Sequence, residues 1–177
     1  MKPTLATERL VLRPTRMDDA ARLFELDADP EVRRYVDQPD APTLAQCETL
    51  AGRFLAIDAA TPEHGFWIAE ERGVFAGWFQ LRPPRDGEPA EPGDMEIGYR
   101  LMRAAWGRGL ATEGSRALID YGFGVLRAPR VIAVALEANV ASTRVMEKLG
   151  MSVWRRWEHR SRASGALIPA VTYARQR

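Results

Sequence analysis

The sequence predicts a mixed α/β domain in which about six to seven strands form a mostly antiparallel, twisted sheet flanked by about four helices. Three observations carry this prediction. Short segments alternate apolar and polar residues, as half-buried strands do. Longer segments repeat apolar residues at helical spacing and carry helix caps. An apolar, β-branched run, "RVIAVAL", follows the helical pattern of residues 111–125, where we expect the one parallel connection.

The N-terminal part predicts one strand and two helices. "TERLVLRP" alternates and stops at Pro14, as a strand with one buried face does. "TRMDDAARLFELDADP" has acidic residues in its first turn and is expected to end as a helix before Pro30. "APTLAQCETLAGRFLAIDAA" carries one broad apolar stripe that includes Cys47. Because a free cysteine behaves as a small hydrophobe, we interpret Cys47 as a core thiol.

The remaining elements follow in order. "GFWIAEERGVFAGWFQLRP" predicts a hairpin turning at residues 71–73, and "RPPRDGEPAEPGD" predicts a flexible connection. "DMEIGYRLM" reads as a strand, "ATEGSRALIDYGFGVL" as a helix and "RVIAVAL" as a strand. "NVASTRVMEKLG" predicts a helix with Asn139 as N-cap and Gly150 as its C-terminal stop. Two final strands are expected around a turn at residues 164–165.

Composition limits the function classes. A chain of 177 residues is expected to form a single domain, residues 1–177. With 46% hydrophobic and 28% charged residues and a formal net charge of +1, bulk charge argues against nucleic-acid or anionic-membrane partners. Since no apolar run of about 18 residues exists, we expect no membrane span and a cytoplasmic location. One cysteine and two histidines predict neither a disulfide nor a metal site.

The stretch "WGRGLATEG" lies where a strand pattern gives way to a helical one. The first turn of a helix leaves backbone N–H groups unpaired, with the positive end of the helix dipole behind them. Gly107 and Gly109 allow close approach of a phosphate and positive φ, and Arg108 adds a charge. A tight strand-to-helix turn with no ligand is the plain alternative. The stretch matches neither the G-x-x-x-x-G-K-S/T phosphate loop nor the three-glycine dinucleotide fingerprint.

Three blocks in a fixed order resemble a known family. "TERLVLRPTRMDDAARLFEL", "MEIGYRLMRAAWGRGLATEGSRALIDYGF" and "NVASTRVMEKLGM" together are similar to the GNAT superfamily of N-acetyltransferases, and specifically to its RimJ/RimL-like branch. The likeness covers nearly the whole chain. It implies acetyl-CoA as cofactor, CoA as product and an amine as acceptor, either a protein N-terminus or a small molecule. Homodimers are common in this superfamily, so the resemblance also implies a homodimer as one possible oligomeric state.

The resemblance also implies where the cofactor binds. The pyrophosphate loop of the family, Q/R-x-x-G-x-G/A, falls on residues 106–111, where Trp106 departs from the usual first residue. The preceding strand, residues 97–103, would separate from its neighbour and offer its backbone to pantetheine. The implied cofactor-binding residues are Leu101, Met102, Arg103, Trp106, Gly107, Arg108, Gly109, Leu110, Ala111, Thr112, Asn139 and Ser142.

Acetyl transfer to an amine requires a neutral nucleophile, a polarised thioester and a proton for the departing thiolate. Glu96 is the first candidate for the base, Glu137 the second, and solvent the third. The plain alternative for Glu96 is a solvent-facing strand residue, and for Glu137 a residue that closes its strand in solvent. Ser142 or solvent is expected to act as the acid, because Met146 occupies the position where many superfamily members carry tyrosine. Cys47 lies on a distant helix stripe, so we expect direct attack on the thioester without a covalent enzyme intermediate.

Two other functions remain open at the level of sequence. A non-catalytic acyl-CoA-binding or regulatory domain would keep the loop and lack the chemistry, and a generic anion-binding domain would need neither Asn139 nor Ser142. Residues 34–44, 82–94 and 160–168 are the substrate-side segments, and they show no acceptor motif. His64 and His159 have no evident partner in the sequence, and we expect His159 to be an exposed strand residue. The strand aromatics are expected to form core or cleft wall: Phe66, Trp67, Trp78, Phe79, Trp154 and Trp157.

Overall fold

The computed structural model describes residues 2–37 and 40–177, which form one eight-stranded sheet and five helices. The strands are β1 (Leu5–Ala6), β2 (Leu10–Pro14), β3 (Gly65–Glu71), β4 (Val74–Arg82), β5 (Met95–Leu101), β6 (Arg130–Leu136), β7 (Ser152–Arg160) and β8 (Leu167–Gln176). The helices are α1 (Ala20–Ala28), α2 (Pro30–Arg33), α3 (Leu44–Ala60), α4 (Leu110–Gly124) and α5 (Val140–Lys148). Within the described ranges, no helix combines the length and apolar character needed to cross a membrane.

The sheet confirms the predicted mixed α/β class and its one parallel connection. Its order is β1-β2-β3-β4-β5-β6-β8-β7, and every neighbouring pair is antiparallel except β5 and β6, which α4 connects. The hairpin of β3 and β4 turns at Arg72 and Gly73, both with positive φ, as the sequence predicted. The tail also forms the predicted pair of strands, β7 and β8.

Helices pack on both faces of the sheet. On one face α4 approaches β4 so closely that a Cβ on Gly114 would lie 2.4 Å from the ring of Phe79. Glycine at this position therefore sets the helix-to-sheet distance. On the other face α1 and α3 cover β3 and β4, where the rings of Phe54 and Phe66 stack with centroids 3.7 Å apart. These two faces become the two sides of the candidate site.

Two short elements raise the counts above the predicted six to seven strands and four helices. β1 has only two residues, pairing with β2, so it carries no alternation that a sequence pattern could detect. α2 begins at Pro30, whereas the sequence pattern predicted only that the preceding helix ends before this proline. Asp29 accepts a hydrogen bond from the Glu31 N–H at 2.9 Å, and proline is favourable in the first helical position, so Pro30 starts a new turn.

The parallel pair β5 and β6 separates almost as soon as it forms. Met95 pairs with Val131 and Glu96 with Ile132, whereas β5 continues its pairing with β4 up to Leu101. Beyond Glu96 the two strands therefore enclose a wedge-shaped opening, which we call the β5–β6 opening. Strand β5 ends at Leu101, two residues before the predicted end, and residues 103–105 form a short 3-10 turn.

Candidate active site

The edge of β5 that borders the β5–β6 opening presents backbone groups. In an antiparallel pair, alternate residues turn their N–H and C=O groups toward and away from the partner strand. The Met102 N–H donates to the Ala76 carbonyl at 2.9 Å, which fixes this alternation. Ile97, Tyr99 and Leu101 consequently direct their backbone groups away from β4 and toward the opening. An extended ligand with amide groups could pair with this edge.

The loop after β5 is anchored by Trp106. Its indole N–H donates to the Leu101 carbonyl at 2.9 Å while nearly half of its side-chain surface stays exposed. Of the three residues expected nearest to pantetheine, Leu101 therefore offers its N–H, and the Met102 N–H is already bonded to β4. The Arg103 side chain points elsewhere, since its Nε lies 3.2 Å from Asp29 Oδ2.

The glycine turn that starts α4 has the geometry of an anion site. Gly107 and Gly109 have φ values of +70° and +80°, a region that disfavours other residues. A Cβ on Gly107 would meet no atom within 4 Å, so the backbone conformation rather than crowding requires glycine there. The N–H groups of Leu110, Ala111 and Thr112 lie in the first helical turn, where no intrahelical acceptor exists. This turn can bind a phosphate through backbone amides.

Arg9 holds this turn from outside the loop. Its Nη1 donates to the Arg108 carbonyl at 2.8 Å, and its Nε donates to Glu113 Oε2 at 2.7 Å. The Arg108 guanidinium faces away and makes two hydrogen bonds of 2.7 Å to Glu71. The charge expected from Arg108 is thus paired with Glu71. Sequence reasoning missed Arg9, because it lies about a hundred positions from the loop and no local pattern links the two.

Asn139, Ser142 and Tyr99 meet on the α4 side of the sheet. Asn139 Oδ1 accepts from the Ser142 N–H at 3.2 Å, which confirms the predicted N-cap of α5. Ser142 Oγ lies 3.5 Å from the Tyr99 hydroxyl, and burial raises the pKa of Tyr99 above its ordinary value. Met146 is buried in the core. Tyr99 was not singled out from the sequence, although the alternation of "MEIGYRL" places it on the face opposite Glu96.

Glu96 projects from the other face of β5. Its side chain is 9% exposed, and its Oε1 accepts from Gln80 Nε2 at 3.3 Å. Oε2 lies 2.8 Å from Arg82 Nη2, but the contact lacks hydrogen-bond alignment, so this buried oxygen has no hydrogen-bond donor within residues 2–37 and 40–177. Burial raises the pKa of Glu96 to about 7, although the charge of Arg82 acts in the opposite direction. Such a carboxyl group exchanges protons near neutral pH.

Glu137 lies far from Glu96. It follows the end of β6, five positions beyond the residue that pairs with Glu96, which at roughly 3.3 Å per residue is about 16 Å along the strand. Its carboxylate is bonded to Arg156 of β7, and about a third of the side chain is exposed. The structure therefore separates the two candidate bases, and only Glu96 lies where β5 and β6 diverge.

A cleft of about 630 Å³ opens on the same face as Glu96, between the sheet and the helices α1 and α3. Gln80, which bonds to Glu96, and Arg100 connect this cleft to β5. We call it the acceptor-side cleft. Its apolar lining consists of Ala41, Pro42, Cys47, Leu50, Phe54, Ile57, Phe66 and Trp78, and its polar lining of Asp27, Asp40, Gln46, Thr49, Arg53, Gln80, Arg85 and Arg100.

The cysteine and histidine predictions have different outcomes. Cys47 is 1% exposed in the core cluster under the acceptor-side cleft, and burial raises its pKa, which confirms the prediction of a core thiol. The expectation for His159 was wrong. It is only partly exposed, and its Nε2 lies 2.9 Å from Asp37 Oδ2, a partner 122 positions away in the chain. His64 has a lowered pKa because of burial, and its Nδ1 has no hydrogen-bond partner in the described part of the chain.

Asp37 fastens the segment before α3 to the turn between β7 and β8. It accepts from Ser161 Oγ at 2.7 Å, from the Arg162 N–H at 2.7 Å and from the Ala163 N–H at 3.3 Å, in addition to His159. Burial by itself would raise the pKa of Asp37, but these donors outweigh it and hold the pKa well below its ordinary range. The predicted substrate-side segments 34–44 and 160–168 thus meet, although Gln38 and Pro39 lie outside the described residues.

Four of the six strand aromatics occupy the expected places, whereas Trp154 and Trp157 lie on β7 outside the buried core and the cleft lining. Trp67 and Phe79 are fully buried in the main core, and Phe66 and Trp78 form part of the wall of the acceptor-side cleft. Trp154 carries the guanidinium of Arg130 at 4.1 Å from its ring centre. The indole N–H of Trp157 donates to Thr172 Oγ1 at 3.1 Å, so it serves the packing of β7 on β8.

Comparisons with known proteins agree with this geometry. Residues 9–152 match the family model described as acetyltransferase (GNAT) domain. The chain is 31% identical over 154 residues, 85% of its length, to FsC-acetyl coenzyme A-N(2)-transacetylase of Aspergillus fumigatus, of which it spans 66%. It is 34% identical over 157 residues to YkkB of Bacillus subtilis, an uncharacterised protein, covering 85% of this chain and 86% of that one.

Solved structures share the fold. An acetyltransferase from Agrobacterium tumefaciens superposes with a TM-score of 0.76 at 26% identity, covering 100% of this chain and 96% of that chain. RimL, a ribosomal alpha-N-protein acetyltransferase solved in complex with coenzyme A, superposes with a TM-score of 0.83 over 98% of both chains. At 16% identity this second likeness carries the fold alone.

Proposed function

The chain belongs to the acetyltransferase (GNAT) family, and from this premise we propose that it is an acetyl-CoA-dependent N-acetyltransferase acting on a primary amine. The observation that carries the proposal is the arrangement around the β5–β6 opening. A buried carboxyl group with a pKa near neutrality lies on one face of β5, and a hydroxyl pair lies on the other. The glycine turn of α4 lies beyond the end of the same strand.

The chain's own groups suit acetyl-CoA. Backbone N–H groups of the first turn of α4 are donors for a pyrophosphate, and the positive φ values of Gly107 and Gly109 keep that turn open. The outward backbone of Ile97, Tyr99 and Leu101 offers the extended edge that a chain of amides requires. Asn139, although its oxygen caps α5, retains an amide N–H₂ group that can donate to the same ligand.

Acetyl-CoA supplies an acetyl group activated as a thioester. In the proposed reaction Glu96 takes a proton from the acceptor's ammonium group, directly or through one water, so that the nitrogen reacts as a neutral amine. The new N–C bond forms as the C–S bond breaks, and the nitrogen then loses its second proton to solvent. Ser142, next to the Tyr99 hydroxyl, provides a proton for the departing sulfur and regains one from solvent. Because base and acid lie on opposite faces of β5, the amine and the sulfur remain on different sides of the opening.

Direct transfer fits the burial of the thiol. Cys47 lines the acceptor-side cleft, so the expectation that it lies far from the site was wrong, but it is only 1% exposed. A covalent route would need a reactive thiolate, and burial raises the pKa of the Cys47 thiol, which disfavours the thiolate. The carboxyl group of Glu137 is bonded to Arg156 at the far end of β6, so Glu96 is the base in this proposal. The acceptor is a protein N-terminal amine or a small-molecule amine. The Aspergillus relative is named for transacetylation at an N(2) nitrogen, which supports a nitrogen acceptor. Among amines, an α-amine is far easier to deprotonate near neutral pH than a lysine.

The test is turnover. We expect the purified protein to release CoA from acetyl-CoA only when a suitable amine is present, with the acetylated amine identified by mass spectrometry. A panel of peptide N-termini and small amines covers both acceptor classes. Tight binding of acetyl-CoA by calorimetry without CoA release from any amine would instead support the non-catalytic acyl-CoA-binding function. Equal binding of inorganic phosphate and CoA would support a generic anion site.

A further inference from the structure

One face of β5 carries three positions in succession, of which Arg100 lines the acceptor-side cleft. Glu96, Gly98 and Arg100 alternate along the strand on the same face, about 7 Å apart. Gly98 has no side chain, and a Cβ there would lie 2.8 Å from Gln80 Nε2, which bonds to Glu96. The Gln80 side chain therefore covers Gly98, and Gln80, which also lines the acceptor-side cleft, connects Glu96 with the part of the cleft that Arg100 lines.

Among the described residues, Arg100 is held in place by hydrogen bonds from only one of its three guanidinium nitrogens. Its Nη1 donates to both oxygens of Asp27, at 2.6 and 2.7 Å, and its guanidinium carbon lies 5.3 Å from the ring centre of Trp78. The side chain is 18% exposed. Asp27 engages a single nitrogen, so Nη2 and Nε have no hydrogen-bond partner within the described ranges. A planar edge of two N–H groups is the arrangement that binds a carboxylate with two parallel hydrogen bonds.

The remaining charges of the cleft also favour an anionic group. Its lining holds three arginines and two aspartates, and one of those aspartates is already bonded to Arg100. Arg53 and Arg85 lie at the exposed rim, where they attract an anion and repel a polycation. The floor, in contrast, is apolar and aromatic, with Leu50, Phe54 and Phe66 beneath the charged groups.

We propose that the acceptor is a carboxylate-bearing primary amine with an apolar body, that is, a free amino acid or a close analogue, whose carboxylate binds the Nη2–Nε edge of Arg100. The inference rests on the proposed acetyl transfer and specifies its second substrate. The amine lies next to Gln80, from where a water can carry its proton to Glu96, and the apolar body packs on the aromatic floor. Peptide N-termini lack this carboxylate next to their amine, so they are poor acceptors in this account.

Three acceptors with the same apolar body test the proposal: phenylalanine, phenylalaninamide and 2-phenylethylamine. CoA release at saturating acetyl-CoA gives kcat/KM for each. We expect phenylalanine to exceed both others by about tenfold or more, since hydrogen bonds to charged groups are of that strength. The amide's amine is the easier one to deprotonate, so a preference for the free acid runs against intrinsic reactivity and requires a carboxylate site.

Variants assign the preference to Arg100. Arg100→Met keeps an unbranched side chain and removes the charge, so the three acceptors should fall within about twofold of one another while the KM for acetyl-CoA is unchanged. Because Arg100→Met leaves Asp27 buried without its partner, the double variant Asp27→Asn/Arg100→Met is measured beside it. Arg155→Met is the matched control, since the Arg155 guanidinium also lies over a tryptophan, 5.2 Å from Trp154, outside the cleft lining.

Each outcome decides the question. A wild-type protein that uses the amide or 2-phenylethylamine as well as phenylalanine overturns the inference, as does a carboxylate preference that survives in both Arg100 variants. Turnover of other amines with none of the three acceptors also overturns it and leaves the proposed function intact. Absence of CoA release with every amine of the wider panel overturns the proposed function itself.

Discussion

The two sides of the β5–β6 opening are built by different means. On the α4 side, backbone groups form the candidate cofactor wall, namely the edge of β5 and the glycine turn at residues 107–112. On the acceptor side, side chains form the wall, and its charged groups Glu96, Arg100 and Asp27 make buried contacts among apolar residues. A backbone wall depends on φ values and tolerates changes of side chain. A side-chain wall depends on charge and burial, so single substitutions should alter its chemistry.

The largest effect on acetyl-CoA binding is expected where the backbone wall needs a left-handed residue. Gly109→Val places a β-branched residue at a φ of +80°, which costs about 1–3 kcal/mol in local strain and distorts the first turn of α4. We expect acetyl-CoA affinity, measured by calorimetry, to fall by about tenfold or more. Gly124→Ala is the matched control, because Gly124 lies at the other end of α4 without positive φ and with space around it. Equal affinities in the two variants would mean that the turn does not bind the cofactor.

A smaller effect is expected from the residue that holds this turn in place. Arg9→Met removes the hydrogen bond to the Arg108 carbonyl and the ion pair with Glu113, both at the surface. We expect the KM for acetyl-CoA to rise about threefold to tenfold, because the carbonyl of Arg108 in the turn loses one charge-assisted hydrogen bond. The KM for the amine should stay within twofold.

Arg22→Met provides the comparison for Arg9→Met. The two arginine side chains are similarly exposed, at 39% and 43%, and Arg22 pairs with Glu70 away from the turn. If both variants lose thermal stability and neither changes the kinetics with acetyl-CoA, then Arg9 has only a structural role.

The difference between the backbone wall and the side-chain wall also explains which parts of the candidate site the sequence could predict. The cofactor wall lies within a few consecutive residues, and glycines at a strand-to-helix turn carry a recognisable conformational meaning. The acceptor wall joins positions far apart in the chain, such as Asp27 and Arg100, which are separated by 73 positions. No local period connects them.

Corrections to the sequence-based expectations have the same origin. His159 contacts Asp37, which lies 122 positions earlier in the chain, and no spacing rule could have indicated this pair. The two elements missed, β1 and α2, have two and four residues and are too short to establish a period. Tyr99 was also missed, although the alternation of the strand and its register with β4 put it on the face of β5 opposite Glu96.

The smallest effect is expected at the border of the acceptor-side cleft. Asp37→Asn weakens the attachment of the segment before α3 to the turn between β7 and β8, so we expect the KM for the amine to rise about twofold with no change for acetyl-CoA. The melting temperature should fall by roughly 2–4 °C at pH 7. Since the folded-state pKa of Asp37 is depressed, its stabilisation is present above its unfolded pKa of about 4 and is lost as the pH falls further.

A melting-temperature difference between wild type and Asp37→Asn that narrows below about pH 4 would agree with this sign. Asp18→Asn, at an exposed aspartate in the turn before α1, should match the wild type throughout. A difference that stays constant down to pH 2 would show that the carboxylate charge of Asp37 does not stabilise this attachment.

We propose Glu96 as the base on the acceptor side of a cofactor site that is built from backbone groups. The most direct measurement is the pH dependence of kcat/KM for the amine, at saturating acetyl-CoA, in the wild type and in Glu96→Gln. In the wild type the rate should rise with pH through about 7, where Glu96 loses its proton. In Glu96→Gln we expect kcat to fall by about a hundredfold and the rise of kcat/KM near pH 7 to disappear. The remaining rise should lie at higher pH, where the amine itself loses its proton. The affinity for acetyl-CoA should be unchanged. A limb near pH 7 that persists in Glu96→Gln would contradict the account.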